Sequence, residues 1–279
     1  MKIKCYGARG SIPVCGEEYV KYGGDTPCLE IRSRDDAIII IDAGTGIRRL
    51  GTELLKQQEF AYNLLLTHSH WDHIIGFPFF KPIYETNTVI KLFGCSATQG
   101  NMKKLLSATM SAPFFPVPFD QMKAKILYSD ICQFSYHIST IEIVPIKLNH
   151  PNGGQGYKLI EDGKVFVFLT DNELGYQHRS GLNFATYVDF VTAADLLIHD
   201  AEYTPQEYKL TRGWGHSTYL EALELAIQGK VKCFGLFHHN QERKDSDLDL
   251  MVQECREILH QKKVKMECFA LSPLSELIL

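Results

Sequence analysis

Apolar residues in this chain fall into short β-branched or aromatic runs separated by stretches of helical period. Lys2 to Tyr6, Leu29 to Arg32 and Ala37 to Ile41 read as strands, and Ile47 to Gln57 spaces its apolar positions as a helix does. Tyr62 to Leu66 is a further buried strand that runs straight into Thr67-His68-Ser69-His70-Trp71-Asp72-His73. A strand near Thr88 to Phe93 and a helix near Gly100 to Met110 follow. The proline-rich aromatic stretch from Ala112 to Phe119 cannot be regular helix and reads as a cap or interface loop. Strands at Lys125 to Tyr128, Ile141 to Lys147, Tyr157 to Ile160 and Val165 to Leu169 are joined by glycine-containing turns, an antiparallel pattern. The remainder alternates: strand Leu196 to His199, helix Thr218 to Gln228, strand Lys232 to Phe237, helix Ser246 to Lys262, strand Lys265 to Ala270. No linker, repeat or low-complexity block interrupts the pattern, so residues 1–279 are expected to form one domain of the α/β or α+β class.

Composition narrows the function classes. Hydrophobic residues at 45% and charged residues at 22% suit a soluble globular enzyme. A formal net charge of −4 lacks the basic balance of a protein that grips long nucleic acid through many phosphates, so no such partner is expected. The start of the chain has no signal-peptide pattern and the longest apolar runs are too short to span a bilayer, which leads to the expectation of a cytoplasmic protein without a membrane partner. Eight cysteines with no Cys-x-x-Cys pair suggest reduced, mostly buried thiols rather than a disulfide framework, Cys28 among them.

His68, His70, Asp72 and His73 lie within six residues where a strand gives way to a turn, and imidazole and carboxylate are the ligands divalent metals prefer. This segment resembles the His-x-His-x-Asp-His loop of the metallo-β-lactamase superfamily, and the resemblance extends along the chain. Asp42, ending Ile39-Ile40-Ile41-Asp42, matches an aspartate that orients ligands. His150 in Leu148-Asn149-His150-Pro151, Asp171 in Phe168-Leu169-Thr170-Asp171 and a histidine of the pair His238-His239 match the family's remaining ligands, with His238 favoured over His239. The resemblance implies an αββα sandwich, an α+β fold of two mixed sheets flanked by helices. It implies two divalent metal ions, one held by His68, His70 and His150, the other by Asp72, His73 and His238, with Asp171 joining them. Two cations about 3.5 to 4 Å apart can activate a water near neutral pH and clamp a displaced oxygen, which makes hydrolysis the natural reaction. Zinc suits the imidazole-rich set, and manganese tolerates the same ligands.

Two further segments narrow the substrate. Leu197-Ile198-His199-Asp200-Ala201-Glu202 with Gly215-His216-Ser217-Thr218 resembles the phosphodiesterase branch that includes tRNase Z. There the acid orients a histidine that protonates the leaving oxygen, so Asp200 and His216 join Asp72 as catalytic candidates. Thr218-x-x-Glu221 reads as a capping box that sets His216 just before a helix, a place that favours phosphate. The stretch from Gly7 to Pro13 through Tyr22 to Cys28 is similar to a subgroup associated with cyclic-nucleotide phosphodiesterase activity, including phage enzymes that destroy cyclic-nucleotide signals; Arg9 could add charge there, or the glycines could serve loop geometry alone. His150 and Asp171 stand only 21 positions apart, whereas tRNase Z carries a tRNA-holding arm in that interval. The expected function is hydrolysis of a small phosphodiester, a cyclic nucleotide foremost. A tRNase Z-type nuclease, a thioester or lactone hydrolase of the same fold, and a non-catalytic nucleotide binder are the alternatives. Phe114, Phe115 and Phe119 either close over a base or pack as ordinary core, and the same stretch motivates an expected homodimer.

Overall fold

The computed structural model describes residues 1–95, 101–132, 134–179, 181–273 and 275–279. Among these residues the strands form two seven-stranded sheets. The first comprises β1 (Lys2–Gly7), β2 (Cys28–Arg32), β3 (Ile38–Ile41), β4 (Ala61–Leu65), β5 (Val89–Gly94), β6 (Lys125–Asp130) and β14 (Glu276–Ile278), in the order β14-β1-β2-β3-β4-β5-β6. The second comprises β7 (Tyr136–Ile138), β8 (Ile141–Lys147), β9 (Gln155–Glu161), β10 (Lys164–Leu169), β11 (Leu196–Asp200), β12 (Cys233–Phe237) and β13 (Glu267–Ala270), in the order β13-β12-β11-β10-β9-β8-β7. Each sheet is mixed: β3 to β6 run parallel in the first, and β10 to β13 run parallel in the second.

The central strands read as unbroken apolar runs because both of their faces are covered. Ile39 and Ile41 point between the sheets while Ile38 and Ile40 point outward; Phe166 and Phe168 point inward while Val167 and Leu169 point outward. The inward set meets Leu65, Leu159, Ile198 and Phe237 in a core between the sheets. The outward residues of the first sheet are covered by helices Ile47–Lys56 and Met102–Thr109, and those of the second by helices Phe184–Val191, Tyr219–Gln228 and Asp245–Gln261. The result is the helix-sheet-sheet-helix layering expected from the sequence.

Most element boundaries differ from the sequence reading by a residue or two; Gly100, the expected start of one helix, lies outside the described residues. Helix Phe184–Val191 was not legible. Its β-branched and aromatic residues are poor helix formers, and it is held by burial of Tyr187 and Val191 and by the Asn183 cap. Helix Pro205–Thr211 did carry a signal, the Thr204–Glu207 capping box. The cysteine expectation needs one correction: Cys95 and Cys132 are disulfide-bonded, tying the end of β5 to the segment after β6, while Cys5, Cys28, Cys255 and Cys268 are buried thiols. Their separation of 37 positions hid a pairing made by neighbouring strands. No helix among the described residues is long and apolar enough to cross a membrane.

Phe168 is fully buried between the sheets, with its ring 5.1 Å from that of Phe237. Phe168→Ala should therefore cost about 3–5 kcal/mol of stability, read as a lower midpoint in chemical denaturation.

Candidate metal centre

The parallel strands of both sheets end at one edge, and the residues just past those ends converge. Three of them leave the strand by a left-handed turn: Asp42 after β3 (φ 64°), Asp171 after β10 (φ 48°) and His238 after β12 (φ 56°). Non-glycine residues seldom adopt this conformation, and here it swings each side chain off the sheet face toward the seam. β4 delivers the segment from Thr67 to His73, whose last residues wind into the short helix Trp71–Ile74. β11 ends on Asp200 itself.

The residues singled out by sequence meet in two sets, and a third, Asp171, Asp200, His216 and His238, adjoins them. His68, His70, His150 and Asp171 each place a ligand atom within 4.8 Å of the others, and Asp72, His73 and His238 do the same. Asp171 divides its carboxylate between them. Its Oδ2 lies 3.4 Å from His68 Nε2 and 3.7 Å from His150 Nε2, and its Oδ1 lies 3.2 Å from His73 Nε2 and 3.5 Å from His238 Nε2. Asp72 Oδ2 is 3.0 Å from His238 Nε2 and 3.2 Å from His73 Nε2.

Around this core, other groups take the outer nitrogens of the imidazoles. His73 Nδ1 meets Asp42 at 2.8 Å, His150 Nδ1 meets the Gly215 carbonyl at 2.8 Å, and His238 Nδ1 meets Glu202 at 2.9 Å. Donation from Nδ1 leaves the Nε2 atoms facing inward, the arrangement metal-ligating histidines use. Thr67 adds its hydroxyl and amide to Asp42, and Thr67 Oγ1 stands 3.1 Å from His68 Nδ1.

These donors suit divalent cations. Among the described residues, the buried His68 Nε2 and His73 Nε2 have no hydrogen-bond partner. Burial lowers the proton affinity of His68 and His70 and pushes His150 down to about 3, so their lone pairs are open to a metal. In the other set, burial works against charge on His73 and His238, yet Asp72, Asp171, Asp42 and Glu202 hold both well above the ordinary histidine range. Burial opposes ionisation of Asp72 and Asp171 too, and the imidazoles around them keep both well below the usual carboxylate range. Protons there do the charge-balancing that a bound cation would take over, so metal uptake would release them.

His216 stands beside these sets. Its Nδ1 is 2.6 Å from Asp200 Oδ2 and 3.3 Å from Glu202 Oε2, and its ring stacks on His238 with centroids 4.7 Å apart. Burial disfavours its charge, but Glu202 and Asp200 outweigh that and lift it to about 9. The capping box of Thr218 and Glu221 forms, placing the helix N-cap two residues after His216.

Glu202, two positions after Asp200, has no role in the sequence analysis, yet it reaches both His216 and His238. Glu173 was missed. Fully buried, it accepts from the Gly213 and Gly215 amides at 2.6 and 2.8 Å and from the Tyr208 hydroxyl, fixing the loop that carries His216. Arg9 does not face a phosphate site. It is fully buried and donates to the carbonyls of Gly23, Asn240 and Arg243. The glycine beside it serves packing, since a Cβ on Gly10 would meet His238 Nδ1 at 2.3 Å, and Ser11 N donates to Asp72 at 3.0 Å. His239 turns away from the cluster, its Nε2 donating to the Leu271 carbonyl.

Fold and site define a metal-dependent hydrolase of the metallo-β-lactamase type. Residues 38–239 match the Beta-lactamase superfamily domain, and the chain belongs to that family. Among similar proteins, Ribonuclease Z of Picrophilus torridus is 23% identical, the match spanning 95% of this chain and 94% of that protein. Yeast PDE1 superposes with a TM-score of 0.71 at 13% identity over 100% of this chain and 99% of that one. The short form of human tRNase Z gives 0.64 at 18% identity, covering 100% and 99%. Relatives named Ribonuclease Z, matched along nearly their whole length, overturn the expectation that no long nucleic acid is a partner. That expectation rested on whole-chain charge, which says nothing of the field at one cleft, and on the short interval between His150 and Asp171.

His238→Ala should lower the divalent metal bound per chain, as read by elemental analysis. His239→Ala should keep the metal and instead lower the melting temperature, because it leaves the buried Leu271 carbonyl without its donor.

Proposed function

We propose that this chain is a dinuclear metal-dependent phosphodiesterase. The observation that carries the reading is Asp171, which offers one oxygen to His68 and His150 and the other to His73 and His238. In this reading His68, His70 and His150 hold one ion, Asp72, His73 and His238 the other, and Asp171 both. Zinc is the ion the imidazole-rich set suits, with manganese as the alternative. When bound, such a pair supplies an activated water and charge stabilisation at phosphorus.

The protein's own groups supply the rest. Asp200 orients His216 through Nδ1, and Glu202 adds negative charge that keeps the imidazole protonated. Nε2 then delivers a proton to the departing alkoxide, which is too basic to leave readily without one. Asp72 is fixed by the Ser11 amide and by His238, so its carboxylate cannot rotate out of the site.

An RNA phosphodiester is the substrate the relatives favour, since Ribonuclease Z proteins match nearly the entire chain. A cyclic nucleotide is the second reading. It is favoured by the short connection between β8 and β9, where Leu148 to Gly154 turns directly back into the sheet and no RNA-holding arm separates His150 from Asp171. Turnover of the metal-loaded protein on RNA with a 3′ extension, on 2′,3′- and 3′,5′-cyclic nucleotides, and on a thioester and a β-lactam separates these readings. No hydrolysis of any phosphodiester would sink the proposal.

Asp171→Ala should lose metal and activity together, and full occupancy of both sites in that variant would show the assignment to be wrong. His216→Ala should retain metal and slow turnover of alkoxide-leaving substrates by roughly 100- to 10,000-fold, with far less effect on a nitrophenyl ester. Asp200→Asn should share that pattern. Equal loss on both substrate types would rule out the leaving-group acid.

A further inference from the structure

Trp71 stands between the candidate ligands His70 and Asp72, yet 76% of it is exposed. It forms one wall of a cavity of about 530 Å³ that begins at Ser69 in the same segment. Pro78 and Phe79 form a second wall, and Leu105 and Phe114 a third. Phe79 is 54% exposed and Phe114 82%, a heavy cost in exposed aromatic surface for a fold that gains nothing from it. Phe115 belongs to the lining as well. Phe115 stands edge-on to Phe79 with centroids 5.6 Å apart, and the buried Phe77 stacks on Phe119. Among the described residues no charged side chain lines the cavity, and Ser69 and Thr109 are its hydroxyl-bearing residues.

We infer that this groove is a nucleobase subsite, holding the base attached to the phosphate being cleaved. The inference rests on the phosphodiesterase reading. A nucleotide is chemically divided: an anionic phosphate beside an uncharged, flat, aromatic base with polar edges. The protein is divided in the same way within one stretch of chain, because Ser69 and Trp71 alternate with His68, His70 and Asp72. The cavity is concave and within the usual size range of small-ligand sites, which suits a base better than the flat contact between two copies of a chain. Stacking against Trp71 and Phe114 tolerates any base. Of the phenylalanines read as base-stacking candidates, Phe114 and Phe115 line the groove, while Phe119 packs on Phe77 behind it.

The chain has two tryptophans, so Trp214→Phe leaves Trp71 as the sole fluorophore. In metal-loaded Trp214→Phe protein, adenosine 5′-monophosphate should quench that emission saturably and ribose 5-phosphate should not. Adding Phe114→Ala should weaken the quench by roughly 10-fold, and Phe114→Ala in the otherwise native enzyme should raise KM for a nucleotide substrate about as much, with kcat within about 2-fold. Absent quenching, or equal quenching by ribose 5-phosphate, overturns the subsite. So does light scattering that shows a dimer converted to monomer by Phe114→Ala, which would assign the groove to a second copy. If quenching by the nucleotide holds while no diester is hydrolysed, the subsite stands and the phosphodiesterase reading falls.

Discussion

Asp171 is buried at the meeting point of six imidazoles and a second carboxylate, and a buried charge survives only where something answers it. Each of its oxygens is met by a different pair of imidazoles, and each pair must come from more than one strand end. That requirement explains why both sheets deliver chain to one edge. It also explains the outer ring of acceptors. Asp42, Glu202 and the Gly215 carbonyl touch none of the inner carboxylates, but they fix which nitrogen of His73, His238 and His150 faces inward.

The backbone around the cluster is shaped by the rings it holds. A Cβ on Gly215 would lie 2.1 Å from His150 Nδ1, so the loop before His216 can press its carbonyl on that ring only with glycine, at φ 102°. Glu173 pulls the same loop inward through two amides. The position of His216 is thereby coupled to that of His150 through Gly215 and Glu173.

The layers were legible because strands covered on both faces must be apolar at every position, and Ile38–Ile41 and Lys164–Leu169 are nearly so. The inner site was legible because its residues are chemically distinctive and crowd at strand ends. What stayed hidden acts through the fold. Glu173 reads as an ordinary acid until the 213–215 loop folds over it. Arg9 reads as a free cation until the carbonyls of Gly23, Asn240 and Arg243 enclose it. Cys95 and Cys132 become partners only because β5 and β6 lie side by side.

Whole-chain charge misled for a related reason. The formal charge of −4 counts Asp42, Asp72, Asp171, Asp200 and Glu202 as though each projected a field into solvent. All five are buried against imidazoles or hydrogen-bond donors, and their charge is spent locally. A cluster of this composition that takes up divalent ions presents positive potential to a phosphate, whatever the sign of the distant surface. On the phosphodiesterase reading, affinity for a single phosphodiester therefore depends on the cleft, and the length of the nucleic acid behind that phosphate is a separate matter of surface contacts.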